Sequence, residues 1–276
     1  MRESAAARAC RWLVYALIVL WSGLPIFFIA LYSVTPEREI FAFPPRLVFV
    51  PTLAHYLTLW RQWDNFFPTL FNSLVIASAA TLLAAVVSFL AGYAYSRYRS
   101  RLLAASALYL IAIRLLPPIV VTLPLFPLAD YLRLSDTRTL LVLLYAAFWV
   151  SLYTMVMKTF IDEVPRELDE AAFIDGASQW QTLWKIMLPL TLQGLVAGGI
   201  FVFVYAWNEF LFALIFTTQH AKTAPLVISE VMGAVDGTEW GVLFAAVTIQ
   251  FLPVVLLVAL LQRLLIAGLT AGAVKG

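Results

Sequence analysis

Long, uninterrupted runs of apolar residues separated by short polar segments set the pattern of this chain. The runs fall near Trp12–Val34, Pro68–Tyr95, Leu103–Asp130, Thr139–Phe160, Leu190–Thr217 and Trp240–Leu265. Each reaches or exceeds the roughly 20 residues that a helix needs to cross about 30 Å of hydrocarbon. Strands of a membrane barrel would alternate apolar and polar residues over about ten positions, and these runs do not alternate. The pattern predicts an all-α membrane protein, a single transmembrane domain over 1–276 with six transmembrane helices. The first run follows Arg2, Arg8 and Arg11, as in a signal peptide. Its apolar stretch exceeds the usual 7–15 residues and no convincing cleavage site follows, so it reads as a retained span.

Composition agrees with the pattern. Of 276 residues, 63% are hydrophobic and only 12% charged, about half the charged share of a soluble domain, which leaves little chain for a soluble domain. A net charge of +2, with the basic residues spread through short loops, gives no case for nucleic acid as a partner. The lone Cys10 excludes an intramolecular disulfide and a cysteine metal cluster, and the two histidines, His55 and His220, fall between spans.

Charge also orients the spans. With cytoplasmic termini, the inner segments hold eleven basic residues: Arg2, Arg8, Arg11, Arg97, Arg99, Arg101, Lys158, Arg166, Lys185, Arg263 and Lys275. The outer segments then hold six: Arg38, Arg46, Arg61, Arg133, Arg138 and Lys222. The positive-inside rule therefore predicts cytoplasmic N- and C-termini, with loop 161–189 inside and loop 218–239 outside. Trp60 and Trp63 would occupy an outer interfacial position.

The inner loop is longer than ordinary helix–helix links, and its residues predict order. Pro165 suits a first helical turn, Glu167, Asp169 and Glu170 complement the helix dipole, and Gly176 can end the helix in a left-handed conformation. Ser178 and Gln181 then have capping-box spacing for a second short helix, Gln179 to about Met187. Pro189 is expected to open the next span. This helix–turn–helix would lie on the cytoplasmic surface, with Trp180, Leu183, Trp184 and Met187 available to a groove or interface. From physics alone it could also be an amphipathic interfacial helix with no partner.

The sequence Glu170-Ala171-Ala172, then Gly176, then Ile186-Met187-Leu188-Pro189, resembles the EAA loop in permeases of binding-protein-dependent ATP-binding-cassette (ABC) importers. Asn72-Ser73-Leu74, Trp207-Asn208-Glu209-Phe210 and the small-residue tail Gly268–Gly276 are similar to the carbohydrate importers, specifically the smaller, six-span maltose-type permease. Most of the chain is covered. The resemblance implies that the loop docks in a cleft of an ATPase subunit, with Glu170, Ala171, Ala172, Gly176, Leu188 and Pro189 in the coupling surface. It implies as partners a second permease subunit, an ABC ATPase dimer that holds ATP and magnesium, and an extracytoplasmic solute-binding protein met by the outer loop. The tail, which from its residues alone reads equally as a frayed terminus, would by this resemblance reach between the ATPase subunits. The expected solute is a sugar, polyol or glycerol-phosphate type compound, and the expected location is the bacterial inner membrane.

Three polar residues within the runs are candidates for the solute path. Arg114 lies about a dozen residues into the third run, where an arginine costs about 2.5–3.5 kcal/mol on the insertion scale. Pro117-Pro118, with Pro124 and Pro127, should interrupt that helix, so Arg114 faces either a polar pathway or a compensating contact at the kink. Asn208 and Glu209 lie late in the fifth run, and Glu209 would sit about 10 Å further out than Arg114, so a direct ion pair would need broken or shifted helices. Glu209 either meets the solute or stands in interfacial water. Gly194 and Gly198 have the spacing for close helix packing.

The chain holds no Gly-xxxx-Gly-Lys-Ser/Thr phosphate loop and needs no cofactor of its own, so nucleotide hydrolysis would belong to partners. A secondary transporter working as a homodimer is the alternative, although no internal repeat is visible. An intramembrane enzyme would need a nucleophile and base, or metal ligands, at one depth, and the sequence does not supply them.

Overall fold

The computed structural model describes the backbone of residues 5–44, 46, 48–234 and 237–271, and among these residues it is helical with no strand. Residues 272–276 of the small-residue tail, with Lys275, lie outside the described residues, as does Asp236 of segment 218–239. The helices are α1 (Ala5–Tyr32), α2 (Glu37–Ile40), α3 (Ala54–Gln62), α4 (Phe66–Arg97), α5 (Arg101–Ile113), α6 (Pro118–Tyr131) and α7 (Arg138–Asp162). They continue with α8 (Glu167–Ile174), α9 (Gln179–Leu190), α10 (Leu192–Trp207), α11 (Leu211–Phe216), α12 (Ala224–Met232) and α13 (Trp240–Ala271).

Four helices are long and apolar enough to cross a membrane singly: Cys10–Tyr32, Phe66–Arg97, Arg138–Asp162 and Trp240–Gln262. The pairs α5–α6, bent by 102°, and α9–α10, bent by 75°, bring the number to six if each counts as one span. At about 1.5 Å per residue, α5 and α6 are each near 20 Å long, too short to cross alone. The break falls at Arg114–Pro117, where Pro117 and Pro118 lack the N–H groups a continuous helix would use. The expected fifth span begins differently from its sequence reading. Pro189 sits in the last turn of α9, and the chain bends at Thr191 before α10 starts.

One compact unit comprises residues 1–68 and 227–252. Its polar anchor is Glu37, whose carboxylate accepts from the backbone N–H groups of Trp240 and Gly241 at 2.8 Å each and so caps α13. Buried His55 donates from Nε2 to the Thr35 carbonyl at 2.7 Å and packs on Gly241, where any Cβ would overlap the imidazole. The residues of α1 are exposed from Cys10 to Phe27, and Phe28, Ile29, Leu31 and Tyr32 are half-buried.

The other unit comprises residues 69–226 and 253–276. Ala77, Ala80, Ala84 and Phe89 of α4 pack with Leu141, Tyr145, Tyr153 and Met157 of α7, and with Phe203, Ala206 and Trp207 of α10. Small residues set the approach. A Cβ on Gly194 would overlap the Phe160 ring, and one on Gly198 the Tyr153 ring, whose hydroxyl donates to the Leu195 carbonyl. The helix-packing role read from the Gly194–Gly198 spacing is met at α7. Gly198→Leu is expected to lower stability by about 1–3 kcal/mol through overpacking, read as an earlier melting transition in detergent, with Gly23→Leu, which meets open space, as the mild control.

Candidate functional site

The segment after α7 is built by local rules. α8 ends in a paired-bond stop: Gly176 N–H donates to the Phe173 carbonyl at 3.1 Å and Ala177 N–H to that of Ala172 at 2.9 Å. The Ala177 bond requires the left-handed φ of +82° at Gly176, which glycine adopts without strain. Ser178 then caps α9 in both directions, its Oγ accepting from Gln181 N–H at 3.3 Å and its N–H donating to Gln181 Oε1 at 2.8 Å. Over Thr182–Met187 the helix widens to a π-turn, a feature frequent at functional sites.

α8 has two faces. Asp169 and Ala172 are buried, whereas Glu170, Ala171 and Ile174 are exposed, Ile174 at 86%. Gly176 and Pro189 are exposed and Leu188 packs against the core edge. The sequence reading needs one correction here: Trp180 and Trp184 are exposed as expected, but Leu183 and Met187 are buried in the chain's own core and offer nothing to a partner. The π-turn widens the register over Thr182–Met187, the segment that holds both buried residues.

The buried face of α8 is tied to the end of α4. Arg97 Nε donates to Asp169 Oδ2 at 2.5 Å, with both side chains 8% exposed. Arg97 also donates to the Val164 carbonyl at 2.9 Å, and Arg166 donates to the Ser96 carbonyl at 2.7 Å. Gln179 donates to the Tyr98 hydroxyl. Five side chains thus fasten residues 164–179 to one helix end.

Arg114 stands at the α5–α6 break with its guanidinium carbon 4.7 Å from the Trp149 ring centre and 5.5 Å from that of Phe148. Cation–π attraction of this kind is worth up to about 2 kcal/mol when desolvated and compensates much of the insertion cost. Trp149 in turn stacks on Tyr205 of α10, centroids 4.1 Å apart. Arg114 also lines an apolar cavity of about 120 Å³ with Val121, Leu125, Leu144 and Phe212. Glu209 does not pair with it. Glu209 Oε1 accepts from Phe212 N–H at 2.8 Å and Oε2 from Ala213 N–H at 3.3 Å, capping α11, while Asn208 donates to the Val204 carbonyl at 2.8 Å. Phe212 links Arg114 and Glu209, since it lines the arginine's cavity and its N–H is held by the glutamate.

A second polar centre was not singled out from sequence. Asp136, at φ +56° before α7, accepts five hydrogen bonds from residues 218–221. Oδ1 takes Thr218 N–H at 3.1 Å and Ala221 N–H at 3.0 Å. Oδ2 takes the Thr218 hydroxyl at 2.9 Å and the N–H groups of Gln219 and His220 at 3.1 and 3.0 Å. Burial alone would raise the Asp136 pKa, but these donors outweigh it and hold the carboxyl well below the usual range. The same loop is gripped from α4. Asn72 donates to the carbonyls of His220 and Lys222 at 3.0 Å each, and Ser73 Oγ accepts from Ala224 N–H at 2.9 Å.

The family described as "Binding-protein-dependent transport system inner membrane component" matches residues 84–270. The chain belongs to this family. It is the permease subunit of an ABC importer, as the EAA-type spacing implied, and the secondary-transporter alternative is not favoured. The permease is 36% identical over 244 residues to the trehalose/maltose transport system permease protein of Thermococcus litoralis, covering 87% of each chain. It is 34% identical over 266 residues to the sulfoquinovosyl glycerol transport system permease protein of Agrobacterium fabrum, covering 95% of this permease and 93% of that one. With the trehalose transport system permease protein of Mycobacterium tuberculosis the identity is 35% over 279 residues, covering 98% and 99%. A bacterial ABC transporter involved in import of the acidic polysaccharide alginate shares the fold at a TM-score of 0.77, with 17% identity over 95% of this permease and 99% of that chain.

Proposed function

We propose that this permease forms, with a second permease subunit, the translocation path for a sugar, polyol or glycerol-phosphate type solute. An ABC ATPase dimer that binds ATP and magnesium drives it, and an extracytoplasmic binding protein delivers the solute to loop 218–239. The termini and segment 161–189 lie on the cytoplasmic side, and Glu170, Ala171, Ala172, Gly176, Leu188 and Pro189 make up the coupling surface. Arg114, Asn208 and Glu209 lie along the path with Tyr205, whose half-exposed ring suits the apolar face of a saccharide. The naming of relatives as trehalose, maltose and sulfoquinovosyl glycerol permeases supports the solute class.

The observation that carries the reading is the outer face of α8 and its turn. Ile174, Phe173, Trp180 and Leu168 stay exposed at 86, 48, 61 and 41% although the segment is capped and anchored. An ordered apolar patch on a capped and anchored segment suits a protein partner. Uptake of radiolabelled trehalose and maltose by cells of the source organism, with and without the ATPase subunit, tests it. Uptake that stops when the ATPase is removed supports the reading, and uptake that continues through this chain would place it back among secondary transporters.

A further inference from the structure

The two polar centres lie at opposite ends of the same pair of helices. Asn72 and Ser73 near the start of α4 hold residues 220–224, and Arg97 at its end holds Asp169 of α8. About 25 residues of helix, or about 37 Å, separate the two grips, with no proline between them. α7 runs alongside and repeats the arrangement. Asp136, two residues before it, clasps residues 218–221, and the Val164 carbonyl, two residues beyond it, accepts from Arg97. Between the ends the helices are locked together, since Ser88 donates to the Val150 carbonyl at 3.2 Å and a Cβ on Gly92 would come within 2.9 Å of Met157 Cβ.

We infer that α4 and α7 form one transmission rod that carries the state of the coupling segment to residues 218–224. Arg97 and Asp169 are the positioning residues at one end, and Asn72, Ser73 and Asp136 those at the other. The inference rests on the proposed reading of α8 as the ATPase-facing helix. Its basis is mechanical: a displacement of α8 cannot leave α4 behind without breaking a 2.5 Å buried ion pair, and a displacement of α4 cannot leave residues 220–224 behind without breaking three bonds to Asn72 and Ser73. Desolvated pairs of this kind resist separation because each charge would be left uncompensated. A packed helix pair with side-chain grips at both ends is a contiguous physical network of the sort that carries coupling over tens of ångströms.

Grips in series and grips acting separately give different double-variant results. Substitutions this far apart ordinarily combine additively in free energy, so their effects multiply. Breaks in one series path do not, because the second removes a link that no longer carries anything. The complete importer is reconstituted in nanodiscs with Cys10→Ser and Gln219→Cys, and the labelling rate at position 219 by a charged maleimide is compared between the nucleotide-free and the ATP–vanadate-trapped complex. The parent should show a ratio of at least about fivefold, the lower end of usual allosteric couplings. Asp169→Asn and Asn72→Ala are each expected to bring the ratio near one with the basal ATPase rate and the assembled complex retained, and Asp169→Glu to restore it. The solute transported per ATP should fall in each single variant, and the double variant should fall no further than the worse single one.

A double variant whose loss equals the product of the singles overturns the rod, as does an Asp169→Asn complex that keeps the full labelling ratio. If a variant fails to assemble, Ser73→Ala, which removes one acceptor, replaces Asn72→Ala with the same expectation. A parent complex that hydrolyses no ATP and shows no nucleotide-dependent labelling overturns the ATPase-facing reading itself, and the rod with it. A working parent with multiplicative losses sinks only the rod.

Discussion

An Asp136→Ala permease is expected to lose about 2–3 kcal/mol of stability, because one carboxylate satisfies four backbone N–H groups and a hydroxyl in residues 218–221. Hydrogen bonds to a charged acceptor contribute roughly 1.5–3 kcal/mol each. Their sum does not apply here, since Thr218, Gln219 and His220 are exposed and water takes over part of the bonding. Asp136→Asn should fall between the parent and the alanine variant, because an amide keeps one acceptor oxygen and places an NH₂ against the remaining N–H groups. The pH dependence follows from the depressed pKa. The folded state holds the proton more weakly than the unfolded state, so the contribution is complete above the ordinary carboxylate range, near 4, and is lost as pH falls below it. The melting difference between parent and Asp136→Asn should thus be constant from pH 8 to pH 5. A difference that already shrinks between pH 8 and pH 5 would contradict the clasp.

Glu170→Arg combined with Gly176→Pro is expected to cut ATP-driven uptake by about 100-fold or more. Proline fixes φ near −65°, whereas position 176 needs +82°, and it deletes the N–H that donates to the Phe173 carbonyl. A cost of about 3 kcal/mol falls on the turn that orients α8 against α9. Glu170 adds a reversed charge on the exposed face beside Ala171. Uptake and ATPase recovery should both collapse, while helical content and membrane insertion persist because the spans are untouched. Gly176→Ala gives the graded control, since alanine tolerates a left-handed φ at about 1–2 kcal/mol. Unimpaired uptake in the double variant would remove segment 161–189 from the coupling role.

The legible parts of this permease are local in sequence. The apolar runs, the Ser178–Gln181 capping box and the stop at Gly176 are decided within a few residues, so they could be read directly. Arg97 and Asp169 were read only as a topogenic charge and a dipole partner, because nothing in the sequence reports that residues 72 positions apart meet at 2.5 Å. Asp136 was hidden for the same reason, its donors being 82–85 residues away. A local signal did exist: an aspartate between Ser135 and Thr137, just before an apolar run, is a residue type that tolerates a left-handed turn. For Arg114 the need for compensation was legible and the compensator was not, since Trp149 and Phe148 look like ordinary members of an apolar run. Glu209 offered a readable signal that was passed over: its spacing to Phe212 and Ala213 is that of a carboxylate capping the helix that follows. Leu183 and Met187 show the converse error, because even helical periodicity placed on them an outward face that the π-turn does not allow.

The most direct measurement is to tag this chain in its own host, extract it in mild detergent and identify its companions by mass spectrometry. The account predicts an ABC ATPase and a second multispanning permease in the same complex, with the ATPase lost when Glu170→Arg and Gly176→Pro are introduced. Recovery of the chain alone, or only with further copies of itself, under conditions that keep a known importer intact would contradict it.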